Sequence, residues 1–110
     1  MANKFKLHAA DVTVTSEITL LTVPPASTYL IGSIIVANVS VGTDTTVDLV
    51  ITDSSQALDF NILKDEPMDA TISKEILSRA LILENGDSLK IQVADADTVN
   101  VLISYMDRSR

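Results

Sequence analysis

The side chains able to do chemistry are few, and their spacing suits little of it. His8 is the single histidine and there is no cysteine, so the chain has no thiolate metal site and no disulfide framework. A lone histidine ahead of the first clear strand reads as a surface residue, because serine–histidine–aspartate catalysis needs the imidazole buried and oriented. Asp95-Ala96-Asp97, followed by Asn100, sets oxygen ligands at alternate positions, as calcium loops do. It lacks the glycine and the distal glutamate that complete an EF-hand loop, so the aspartates are read as turn formers without an ion. Glu84 and Asp87 bracket Asn85-Gly86, but no concave, partly dry site is in view to tune them for acid–base work. Gly32 and Gly42 are isolated and make no phosphate loop. Asn38-Val39-Ser40 matches a glycosylation acceptor, taken as incidental in a chain with no visible secretory route. No catalytic, cofactor or metal residue is assigned, and the chain is expected not to be an enzyme.

Charge is more informative than chemistry. The chain carries 8 Lys and Arg against 15 Asp and Glu, a net charge of −7, which argues against free nucleic acid as a partner. No Lys or Arg occurs between Leu7 and Leu63, while Lys4, Lys6, Arg108 and Arg110 gather at the two ends. No apolar run approaches the roughly 20 residues of a membrane-spanning helix, and Met1–Ala10 has no apolar core of a secretory signal. Synthesis in a cytoplasm, away from membranes, is the expectation.

The elements that must position these residues are strands. In Leu81–Met106, Leu89, Ile91 and Val93 alternate with polar residues, as do Val99, Val101, Ile103 and Tyr105, the period of half-buried strands. Asn85-Gly86 between apolar runs predicts a tight hairpin turn, so this stretch is read as three antiparallel strands. Asp11–Val23 alternates, then slips parity after Leu20, as a bulge or a move between sheets would require; Pro24-Pro25 ends it. Tyr29–Val39 is apolar on both faces, with Leu30, Ile34 and Val36 on one and Tyr29, Ile31, Ile35 and Val39 on the other. Such a strand needs cover on its second face, and a subunit is expected to supply it. Val47–Ile51 and Leu58–Ile62 follow as strands, with Lys64–Asp69 as an exposed link and a single helical turn possible at 73–79. Strands at such spacing predict an all-β antiparallel sandwich, jelly-roll-like, of seven to eight strands over 11–110. Residues 1–10 are expected as a flexible arm.

The chain also resembles a known family, the small β-sandwich virion proteins of tailed bacteriophages. The resemblance rests on Tyr29–Val39, Val47–Ile51, Leu58–Ile62, Leu81–Val93 and Val99–Asp107, and its sharpest piece is Leu83-Glu84-Asn85-Gly86-Asp87-Ser88-Leu89. Met68–Ala80 departs from the pattern, which leaves the position in the virion open. The resemblance implies a structural virion subunit, foremost a capsid decoration or cement protein, with a neck or tail accessory as the alternative; a glycan-binding module is a separate reading that four aromatics and no Trp support poorly. It implies a homo-oligomer, a trimer or a ring, docked on a larger virion protein such as the major capsid protein. The expected oligomer contact is Tyr29, Ile31, Ile35, Val39, Leu102 and Met106. The expected docking device is Lys4, Phe5, Lys6, Leu7, Arg108 and Arg110.

Overall fold

The computed structural model describes residues 2–95 and 98–109. Among them nine strands form two antiparallel sheets, and there is no helix. In order they are β1 (Ala2–Val12), β2 (Ile18–Thr22), β3 (Ser27–Asn38), β4 (Thr45–Asp53), β5 (Leu58–Met68), β6 (Ser73–Glu75), β7 (Leu81–Leu83), β8 (Ser88–Val93) and β9 (Val99–Ser109). One sheet runs β1-β9-β3-β6 with β7 also on β3, and the other runs β2-β8-β4-β5. β7 pairs with Tyr29–Ile31 and β6 with Ile35–Ala37, so these short pieces act as one interrupted edge strand. Apart from the β4–β5 hairpin and that interruption, every connection carries the chain from one sheet to the other, the path of a jelly roll.

The core lies between the sheets. Val12, Ile31, Ile34, Val36 and Ile103 come from one side, and Val47, Leu49, Leu89 and Ile91 from the other, all within 1 % of full burial. Each such aliphatic contributes about 1.5–3 kcal/mol when fully buried, and Cβ branching suits the pleated surface. Two polar residues pin the sandwich from within. Asn38 is buried, and its Nδ2 donates to the carbonyls of Thr43 (2.8 Å) and Met68 (2.9 Å). Its Oδ1 accepts from the N–H and hydroxyl of Ser40. The apparent glycosylation acceptor is therefore a structural knot, its amide already committed to two carbonyls. Asp87 turns inward, and its carboxylate accepts from Ser54 N–H (3.0 Å), Ser54 Oγ (3.2 Å) and Glu84 N–H (2.9 Å). That ties the β7–β8 crossing to the β4–β5 hairpin, and it leaves Glu84 exposed.

Several expectations are corrected. Leu81–Met106 does contain three strands, but no two of them pair: β7 joins β3, β8 lies between β2 and β4, and β9 lies between β1 and β3. Asn85-Gly86 turns the chain across the sandwich instead of closing a hairpin, with Gly86 at φ +85°. Ser73–Glu75 is a strand, not a helical turn, because β3 offers it an open edge. The stretch expected as a flexible arm forms most of β1, paired along its length with β9 from Ala2↔Ser109 to Val12↔Val99. β5 continues through Lys64–Met68, with a register shift opposite Val47–Leu49 and Pro67 on the free edge, where its missing N–H costs no ladder bond. The parity slip after Leu20 is a bulge in β2 between Thr19 and Leu21, while the change of sheet comes earlier, between β1 and β2.

Candidate assembly interface

Cross-strand register assembles the surface on the outside of the β1-β9-β3 sheet. Phe5 lies opposite Met106, Met106 opposite Leu30, and Leu30 opposite Ile82, an apolar row across four strands. The next row is Leu7, Ser104 and Ser33, and the one after it Ala9, Leu102 and Ile35. Phe5 is 88 % exposed, Leu7 64 %, Ile82 62 % and Ile35 36 %. Leu30, Gly32, Ser104 and Met106, with Phe5 and Leu7, line an open groove of about 440 Å³. Gly32 has no side chain to fill it.

The outer face of the other sheet is built differently. There Lys90 meets Glu17 at 4.0 Å and Lys64 meets Asp48 at 3.6 Å. Thr52 donates to Asp59 and Gln92 to the Thr15 carbonyl. On the apolar face the charge nearest the rows above is Glu75, opposite Ile35. Its carboxylate is occupied by the Ser33 hydroxyl and the N–H groups of Ile34 and Leu77. The Ser33 hydroxyl, above all, holds the Glu75 carboxyl below its ordinary pKa, with those backbone N–H groups assisting.

A bulge decides which residues of β3 reach this face. The register with β9 shifts between Ile31 and Ser33, so the inward set is Tyr29 and Ile31, then Ile34 and Val36, all buried. Leu30 and Ile35 point outward. The apparent two-sided apolar strand is thus largely a parity switch at Gly32. Of the expected oligomer residues, Tyr29 and Ile31 are corrected to core positions. Ile35 and Val39 (46 % exposed) are open, and Leu102 and Met106 are half-buried. Sequence reasoning gave Leu30 no role here and passed over Ile82. The signal for Leu30 was the lone Gly32 inside a strand, a frequent mark of a bulge.

The expected docking residues divide across β1. Phe5 and Leu7 join the apolar face, while Lys4 and Lys6 project from the opposite side, level with Asp107 and Tyr105. Lys6 Nζ lies 3.1 Å from Asp107 Oδ2; that hydrogen bond raises the lysine's pKa. Nearby the Tyr29 and Tyr105 rings sit 4.7 Å apart, tilted by 39°, and burial pushes the Tyr29 hydroxyl up. Arg108 sits opposite Asn3 and Thr28, on the parity of Phe5 and Met106 and not that of Lys4 and Lys6. Arg110 lies outside the described residues, as do Ala96 and Asp97 of the acidic loop. Asp95 is described through its backbone N–H, which donates to Thr45 Oγ1 at 2.9 Å. Among the described residues no three His, Cys, Asp or Glu side chains gather to hold a metal.

This jelly roll recurs in solved structures at very low sequence identity. No protein-family model matches the chain, and no curated protein matches it. A chain from the acid-stable capsid of Helicobacter pylori bacteriophage KHP30 superposes with a TM-score of 0.62 at 10 % identity, over 97 % of this chain and 94 % of that one. The Drosophila NLP core, described in terms of pentamer formation and histone binding, gives 0.56 at 10 % identity, over 91 % and 96 %. A chain of infectious bursal disease virus, Gx strain, gives 0.50 at 9 % identity, over all of this chain and 38 % of that larger one. These likenesses establish the fold: an all-β sandwich shared with viral capsid proteins.

Proposed function

We propose that this chain is a non-enzymatic structural protein of a tailed-phage virion, a decoration or cement protein that self-associates and docks on the major capsid protein. The observation that carries the proposal is the apolar outer face of the β1-β9-β3 sheet, on a molecule built in the fold of a phage capsid chain along nearly its whole length. A contiguous apolar face of this kind marks a protein contact. One neighbour comes from a capsid and another is described in terms of pentamer formation, and both favour self-assembly. A neck or tail position would use the same face against a different lattice. A glycan-binding role has less support: Tyr29 and Tyr105 pack against each other, and the exposed rings, Phe5 and Phe60, lie on strands of different sheets.

Quantitative mass spectrometry of the phage encoding the chain, with heads and tails separated, tests the reading. Decoration predicts many copies confined to heads. Recovery with tails or necks would move it to the alternative position, and absence from purified particles would refute a virion role.

A further inference from the structure

We propose, building on the self-assembly reading above, that two copies of this chain pair edge to edge through β1, antiparallel about a twofold axis. The sheet that holds β1, β9 and β3 then runs on from one copy into the next. The observation that carries this is a contrast among the sheet edges. An unpaired edge is a template for another strand, and proteins that stay single blunt it with short strands, bulges or proline. β2 has five residues and a bulge between Thr19 and Leu21. β5 carries Pro67, register shifts against β4, and Asp65 at φ +52°. β6 and β7 have three residues each, with a break between them.

β1 has none of these devices. Its eleven residues pair one for one with β9 without a register shift, and it holds no proline and no positive φ. Among the described strands β9 is its one neighbour. Alternate N–H and C=O groups along β1 bond to β9, and the rest face the open edge.

The residues of β1 select a second β1 as the occupant. Leu7 is the midpoint of Ala2–Val12, so a ladder centred there uses the whole strand. On the outward side it sets Leu7 against Leu7, Phe5 against Ala9 and Asn3 against Asp11. Apolar side chains meet at the centre, and an amide donor meets a carboxylate toward each end. On the other side Lys4 faces Ala10 and Lys6 faces His8, so no lysine opposes a lysine. Slipped registers lose this match. Centring on Lys6 opposes Lys6 to Lys6, and centring on Phe5 opposes Lys4 to Lys6. Centring on His8 sets Phe5 against Asp11 and shortens the ladder.

The bonding is also sufficient. An antiparallel ladder of eleven residues makes about ten main-chain hydrogen bonds, the complement of a typical specific interface. The contact is the same patch on both copies, so it closes at two.

The chain has no cysteine, so single cysteines report the register. Leu7→Cys, at an exposed position, should form a disulfide-linked species of twice 11.8 kDa. The conditions are oxidised glutathione and tens of micromolar chain, and the two Cα atoms would stand about 5 Å apart, within disulfide range. Phe5→Cys and Ile82→Cys, exposed on the same outer face, should each stay single, while Phe5→Cys mixed with Ala9→Cys should link. Linkage of Ile82→Cys, or of Phe5→Cys alone, would reveal a face-to-face contact and overturn the edge joint. Hydrogen exchange of the unsubstituted chain is the second measurement, and it decides the matter if Leu7→Cys melts early. On hundredfold dilution about half of the β1 amides, those facing the edge, should lose protection. Protection unchanged by dilution, a Leu7→Cys that folds but stays single, or a wild type that sediments as one chain would each refute the joint. Such a failure in a chain abundant in phage heads leaves the virion reading standing. A linked pair from a chain absent from particles does the reverse.

Discussion

Replacing Asn38 by alanine probes whether the buried amide holds the sandwich together. Asn38 is 2 % exposed, at the end of β3, and joins that strand to the end of β5 and to the Ser40–Thr43 loop. Without it the Met68 carbonyl and the Ser40 N–H each lose the bond this side chain gave them. The Thr43 carbonyl keeps the Ser40 hydroxyl at 2.8 Å. A buried polar group left without its bond costs about 1–3 kcal/mol, so two place the loss at about 2–6 kcal/mol, with about 3 kcal/mol as the working value. At roughly 4 °C per kcal/mol for a domain near this size, the melting midpoint should fall by about 12 °C. Circular dichroism melts at neutral pH measure this, with Ile82→Ala, at a position 62 % exposed, as a control that should stay within about 2 °C. Asn38→Asp preserves shape but turns an acceptor toward the Met68 and Thr43 carbonyls, and should be at least as damaging. If Asn38→Ala melts within about 4 °C of wild type, water replaces the amide readily and the knot is not structural.

Gly86→Ala should destabilise by about 2 kcal/mol. Its φ of +85° disfavours a side chain, and a Cβ would stand 2.7 Å from Ser54 Oγ. Gly42→Ala, with nothing within 4 Å of the new methyl, should be within about 0.5 kcal/mol of neutral, both variants being measured by urea titration. The Glu75 carboxyl is held below its ordinary pKa of 4.5, so its contribution is present above that pH and is lost as pH falls through the lowered folded value. Because the group is exposed, the effect is small; Glu75→Gln should flatten the acid limb of a stability–pH profile, and an unchanged limb would count against the Ser33 contact. EDTA should leave the melting temperature unchanged; a fall of about 4 °C or more would reveal a bound ion.

Much of the fold was legible in order because strand periodicity is local. Val47, Leu49 and Ile51, or Leu89, Ile91 and Val93, declare their buried side through alternation alone, and all but Ile51 are fully buried. The −7 charge and the cations at the two ends were likewise readable directly. Pairing was not. Asn85-Gly86 has the composition of a hairpin turn, yet β8 finds better burial between β2 and β4 than beside β7. Register is equally non-local. One extra residue at Gly32 sends Tyr29 and Ile31 to the same side as Ile34 and Val36, which took two residues out of the expected interface and put Leu30 into it. Lys4, Phe5, Lys6 and Leu7 alternate visibly in the sequence, but only pairing with β9 makes that alternation a surface, with Phe5 beside Met106 and Lys6 on Asp107. Side-chain period follows from the geometry of one strand. Partner, bulge and outward face follow from how much apolar area all nine strands bury together, and only the assembled sandwich sets that.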